Sequence, residues 1–345
     1  MRYRGFILAL ASAALFALAT PLSKLLLRDL PPNLLAGLLY LGAAGALLPL
    51  VLRRRSQGQT IFPHDRLNRR RLLGAVLFGG VIGPVLLLVG LKHALAASVS
   101  MWLNLETVAT AVLAWLLFRE HMGRWTWLGN LGVLSAGLLL GFGSDWAGWI
   151  GLACVAGAAI AWGLDNNFTA LIDGISPEDS TFWKGLIAGA TNLLIGLALT
   201  GGQVGGEWLW ALGLGAISYG ASIALYIRAA QCLGATRSQM VFASSPFFGV
   251  LLSVLWLGEG LSALQIVAAA MLAGSIGLLF LDRHEHVHQH EPLTHEHEHR
   301  HDDAHHAHEH PGLSVDARHC HVHTHAAITH AHPHWPDLHH RHHGR

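Results

Sequence analysis

Within the apolar stretch Trp149–Leu171, residues 161–169 read AWGLDNNFT and set Asp165, Asn166 and Asn167 side by side. In hydrocarbon an ionised carboxylate costs at least a few kcal/mol, so a chain keeps one there only facing a partner or a wet cavity. Asp165 is therefore the first candidate for contact with an amine or cation, or for carrying a coupling proton. The competing reading is a structural salt bridge to a base such as Arg237 or Lys24. Asn166 and Asn167 fall about 100° and 200° round a helix from Asp165, so at most two of the three share a lumen. One of the amides then anchors a neighbouring helix.

Glu106 is a second carboxylate in the middle of an apolar run, with Asn104 close by. On a continuous helix Ser100 and Asn104 (i, i+4) share a face, and Glu106 lies in another sector. Arg237, Gln239, Ser244 and Ser245 make a further polar stretch, in which Arg237 either binds an anionic group, neutralises Asp165 or snorkels to the surface. Pro21, Pro84 and Pro246 are placed to break helical hydrogen bonding near these groups. Glu120 and Glu259 end their apolar runs, where charge is cheapest, and read as boundary contacts. No Gly-rich nucleotide loop, nucleophile–base spacing or nucleic-acid-binding surface is present, so catalysis is not expected and no cofactor is required.

From His284 onward lie 23 of the 26 histidines. The alternating runs place His284, His286, His288 and His290, then His295, His297, His299 and His301, then His319, Cys320, His321, His323 and His325 as metal-ligand candidates. Neutral imidazole suits Zn, Ni and Co, and a tail this dense fills several weak sites rather than one cage. Its apolar-poor composition predicts disorder without metal. The bland alternative is a pH-responsive segment, since imidazole gains charge on mild acidification.

The elements that must hold these groups follow from hydropathy. Mean hydropathy is +0.42. The chain has 52% apolar and only 12% charged side chains, although its tail is hydrophilic. That is a membrane composition. Ten runs approach the ~20 residues a span needs: Gly5–Leu27, Asn33–Leu52, Leu72–Leu91, Ala96–Phe118, Trp125–Phe142, Trp149–Leu171, Phe182–Thr200, Trp208–Ile227, Gly234–Leu257 and Leu261–Leu281. Met1–Arg4 and the run after it have the look of a cleavable signal, but the run continues to Leu27. With the N-terminus inside, Lys and Arg crowd the inner loops and only Lys24, Arg28 and Lys92 fall outside. The positive-inside rule thus sets both termini in the cytoplasm. The three cysteines are far apart and suggest no disulfide framework.

The sequence repeats internally. ETVATAVLAWLLFRE (106–120) matches SPFFGVLLSVLWLGE (245–259) at one offset, 245 − 106 = 259 − 120 = 139. Five spans per copy is an odd number, so the second copy must enter the bilayer inverted, as in many secondary transporters. The paired endings LAWLLFRE and LSVLWLGE, each followed by another span, resemble the two EamA-type repeats of the drug/metabolite transporter superfamily over residues 5–281. AWGLDNNFTALI and the end HPHWPDLHHRHH are similar to a bacterial subgroup with a histidine-rich tail. The second copy has Ser244-Ser245-Pro246 where the first has Leu105-Glu106-Thr107, so only the first carries a carboxylate.

The expected fold is an all-α membrane protein of ten transmembrane helices in two inverted five-helix repeats, 1–142 and 147–282, with a disordered histidine-rich cytoplasmic tail, 283–345. The expected function is a multi-pass carrier in the bacterial inner membrane that exports a small metabolite. Asp165, Asn166, Asn167, Glu106, Asn104, Arg237, Gln239 and Ser245 would line its pathway. Partners are the lipid bilayer, the small-molecule or ion substrate and divalent metal on the tail; no nucleic acid is expected, and a homodimer is left open. Two alternatives share the sequence: a divalent metal (Zn, Ni or Co) exporter, and a non-transporting membrane-anchored metal buffer or sensor.

Overall fold

The computed structural model describes residues 2–118, 122–142, 145–172, 174–203, 206–233 and 241–279, and in the tail 284–290, 293–299, 319–325 and 328–334. Among the described residues eight helices are long and apolar enough to cross a membrane: α1 Gly5–Leu26, α2 Pro32–Ser56, α3 Arg66–His93, α4 Ala96–Leu117, α5 Arg124–Phe142, α6 Trp146–Ala170, α7 Pro177–Leu199 and α8 Trp208–Ala229. Two shorter apolar helices follow, α9 Ser245–Leu257 and α10 Ala263–Leu278. The ninth expected span began at Gly234, and residues 234–240, with Arg237 and Gln239, lie outside the described residues, as does Glu120.

Several helices start earlier than hydropathy indicated, because polar caps rather than apolar residues define their first turns. α3 begins six residues before Leu72: the Asp65 side chain accepts from Asn68 N at 2.8 Å. Hydrogen bonds from the Asn68 backbone and side chain hold the Asp65 carboxyl below its usual range. α7 opens on a capping box, in which Ser176 and Asp179 satisfy each other's backbone N–H groups, with Pro177 at the first helical position. Asp145 caps α6 through Gly148 N at 3.0 Å.

The helices touch through glycine, as close backbone approach in lipid requires. Along the α2–α7 interface, a Cβ on Gly37 would lie 2.5 Å from Leu193 N, and one on Gly196 would lie 2.7 Å from Leu34 N. α8 meets α2 in the same way, Gly42 against the Leu212 carbonyl and Gly215 against the Leu39 carbonyl. Large apolar side chains such as Leu116, Leu138, Leu194 and Leu255 remain exposed on the outside of the bundle, as a lipid-facing surface demands.

Among the described residues four helices, α1, α3, α4 and α8, are interrupted within their length, and two kinds of interruption recur between halves. α4 breaks at Leu103-Asn104, and a turn at Ala243-Ser244 precedes α9. α3 and α8 each carry a π-helical stretch, Val76–Ile82 and Ala216–Ala221, whose starts differ by 216 − 76 = 140 residues, close to the sequence offset. α1 is broken at Leu18. Pro21, Pro84 and Pro246 each sit within the first turn after one of these interruptions, where a missing N–H has no partner to lose.

Residues 283–335 form a separate unit. β1 His284–His290 pairs antiparallel with β4 Ile328–His334, and β2 Leu293–His299 with β3 His319–His325. The H-x-H alternation has the period of two that a strand requires. The register sets His286 opposite His332 and His297 opposite His321. Among the tail's metal-ligand candidates, His301 lies outside the described residues.

Candidate functional site

A cavity of about 290 Å³ opens among α1, α4, the start of α9 and α10. Phe16, Ala17 and Thr20 contribute from α1; Ser100, Leu103, Asn104, Glu106 and Thr107 from α4; Phe242, Ala243, Ser245, Pro246 and Gly249 from the α9 side; and Ile276 from α10. The cavity is thus bounded by both halves of the chain. The break at Leu103-Asn104 explains why Ser100, Asn104 and Glu106 all line it, contrary to the two sectors of a continuous helix: the two extra turn residues reset the angle between the segments. Asn104 Nδ2 donates to Met101 O (3.1 Å), and Thr107 Oγ1 donates to Asn104 O (2.7 Å), adding side-chain hydrogen bonds to carbonyls of the break. Ser100 Oγ is buried in the wall without a hydrogen-bond partner. Gly249 faces it, and a Cβ there would lie 2.6 Å from that oxygen.

Beside this wall, Asn166 Nδ2 donates to Glu106 Oε1 at 2.9 Å and to Thr110 Oγ1 at 3.1 Å. Asn167 turns into the helix interface, donating to Gly163 O (2.7 Å) and Thr110 O (3.2 Å). The two amides therefore tie α6 to α4, one through the Glu106 carboxylate and the other through backbone. Asp165 is 3% exposed and is not among the residues lining the cavity. Its Oδ2 accepts from Lys184 Nζ of α7 at 2.6 Å and its Oδ1 from Thr169 Oγ1 at 2.9 Å.

Among the described residues the base that meets Asp165 is Lys184, while Arg237 lies outside them. Lys24 instead donates to Leu91 O and Ala94 O. Lys184 was counted only as an inner-side charge. Its place inside an apolar run, where an ionisable group needs a partner, was the signal for it.

The π-helical stretch of α3 forms the floor under this ion pair. Its widened turns free carbonyls, and neighbouring side chains occupy them. Tyr40 Oη of α2 (2.7 Å) and Trp162 Nε1 of α6 (3.0 Å) both donate to Gly79 O, and Asn192 Nδ2 of α7 donates to Gly80 O (3.0 Å). Gly79 lies directly against the Asp165 carboxylate, with no room for a side chain. Tyr40, Trp162 and Asn192 have no assignment from sequence, because each reads singly as an ordinary span residue.

Interrupted helices surround a mostly apolar cavity with a carboxyl group in its wall. The EamA-like transporter family matches residues 3–142 and 149–281, so the chain belongs to that family. An uncharacterized transporter of Methanothermobacter thermautotrophicus is 25% identical over 300 residues, covering 81% of this chain and 87% of that protein. A solved crystal structure shares the fold at 18% identity and a TM-score of 0.58, over 81% of this chain and 98% of the other. The chain is a multi-pass membrane protein of this transporter family.

Proposed function

We propose that this protein is a secondary transporter that exports a small solute across the bacterial inner membrane, with its termini in the cytoplasm. In this reading residues 234–257 complete a ninth span, Ala263–Leu278 lies in a tenth, and 1–142 and 147–282 are two inverted repeats that rock about the cavity. The observation that carries the reading is the 290 Å³ cavity bounded by both halves, with Glu106 in its wall beside broken helices. Unwound backbone at membrane depth is tolerated where it lines such a space. Glu106 is the solute-contacting carboxylate, with Asn104, Ser245 and Asn166 around it. Asp165 takes a different part: paired with Lys184, it holds α6 against α7 under that wall.

The tail is read as a divalent-metal-binding appendage that takes Zn, Ni or Co through its alternating histidines. Metal as cargo is not favoured, since among the described residues no three His, Cys, Asp or Glu side chains converge as a ligand set. The test is flux in proteoliposomes of the purified full-length chain against a panel of amines, amino acids and other metabolites. At least one solute is expected to move saturably, and Glu106→Gln should abolish that movement. Flux unaffected by Glu106→Gln would overturn the assignment of the site.

A further inference from the structure

We infer that the cavity selects a monocationic solute, a primary amine on a compact apolar or aromatic body; this rests on the carrier reading above and specifies its substrate class. The first ground is charge accounting. Three ionisable groups meet beside the cavity, and two of them, Asp165 and Lys184, neutralise each other at 2.6 Å. Glu106 is left as the carboxyl group among the described lining residues. Its described hydrogen bond is to a neutral amide, Asn166 Nδ2 at 2.9 Å. An ammonium brings a full positive charge and three donors, and charge-assisted hydrogen bonds are about twice as strong as neutral ones.

The second ground is the remainder of the wall. Phe16 and Phe242 stand together with ring centroids 5.4 Å apart, tilted by 53°. They offer an apolar aromatic surface to a solute body. Ser100 Oγ, 1% exposed and without a partner, is an unused polar point in the same wall, and buried hydroxyls rarely go unsatisfied. A ligand hydroxyl or amine hydrogen would supply that partner. The volume falls at the small end of ligand pockets, which run roughly 300–1,000 Å³. It fits a single small ring with a short arm rather than a sugar nucleotide.

The experiment compares three probes that share one ring and differ in charge: phenethylamine, phenylethanol and phenylacetate. Binding is measured by calorimetry on the full-length protein in nanodiscs, and flux in proteoliposomes. Phenethylamine is expected to bind saturably and at least tenfold more tightly than either other probe. Glu106→Gln should remove that preference, and Ser100→Ala should weaken binding less. The comparison on the unaltered protein decides the matter even if Glu106→Gln fails to fold. Equal or tighter binding of phenylacetate, or no saturable binding of the amine, would overturn the substrate class. Phenylacetate moving across the membrane would do so while leaving the carrier reading standing. Tight amine binding with no flux of any probe would instead count against the carrier reading and leave the cation site intact.

Discussion

Lys24 and Glu259, drawn from opposite halves of the chain, hold the two ends of one turn. Lys24 Nζ donates to Leu91 O at 2.5 Å and Ala94 O at 2.9 Å, where α3 ends, and both Glu259 carboxylate oxygens accept from Ala96 N and Ala97 N at 2.8 Å, where α4 begins. Helix ends leave carbonyls and N–H groups unpaired, with partial negative and positive charge respectively. A cation on the first and a carboxylate on the second complete both, and they do so across the halves.

That arrangement predicts a graded loss. Glu259→Ala strips two N–H groups of their acceptor and should cost about 1–3 kcal/mol. Glu259→Gln keeps one acceptor oxygen and should cost less. Thermal unfolding in detergent checks the order: Ala below Gln below the unaltered protein. An Ala variant as stable as the parent would mean the contact contributes nothing.

The Asp165–Lys184 pair predicts a reversible defect. Removing one partner leaves a buried charge without compensation, at a cost of roughly 3–5 kcal/mol, whereas removing both is often close to neutral. Lys184→Met and Asp165→Asn should therefore each lower stability sharply, and the double variant should recover most of it. A double-mutant cycle of unfolding free energies measures the coupling. Flux in the double variant separates the roles. Recovered transport fits a pair that holds α6 to α7, and a folded but inactive carrier would return Asp165 to the pathway.

Much of this fold could be read before coordinates, and the omissions have a common cause. Hydropathy found every apolar helix, because burial in lipid leaves a long uniform signal. The 139-residue offset puts the break of α4 within one residue of the turn before α9, and the three prolines marked interruptions, since proline can only follow one cheaply. Asp165 and Glu106 stood out because charge in hydrocarbon demands explanation. Partner choice was not legible. Whether Lys24 or Lys184 meets Asp165 depends on how the helices that carry them pack, which no local sequence pattern encodes. The shared lining of Ser100 and Glu106 was hidden because two turn residues at 103–104 look helical in sequence.

Gly79 is a further test of the site's architecture. Its missing side chain lets the π-helical stretch of α3 press on the Asp165 carboxylate, while its carbonyl takes hydrogen bonds from Tyr40 and Trp162. Gly79→Ala must displace either the carboxylate or the helix, and overpacking of this kind typically costs about 1–3 kcal/mol. Gly45→Ala, in open space on α2, is the control and should be neutral or slightly stabilising by helix propensity. A Gly79→Ala protein with unchanged unfolding midpoint and flux would refute the close approach.

The tail predicts a metal affinity that depends on pH in one direction. Opposite residues of an antiparallel pair lie about 4.5–5.5 Å apart at Cα and share a face. The register sets His284, His286 and His288 opposite His334, His332 and His330, and His295, His297 and His299 opposite His323, His321 and His319. Imidazole ligates metal only when neutral, so protons compete and affinity must fall as pH drops through about 6.5. Calorimetry with zinc on the full-length protein should show several sites at pH 7.5 and markedly weaker binding at pH 5.5. A chain ending at Arg283 should lose that binding and keep its solute flux. Zinc affinity unchanged by the truncation would move the metal site into the membrane part and revive metal as the cargo.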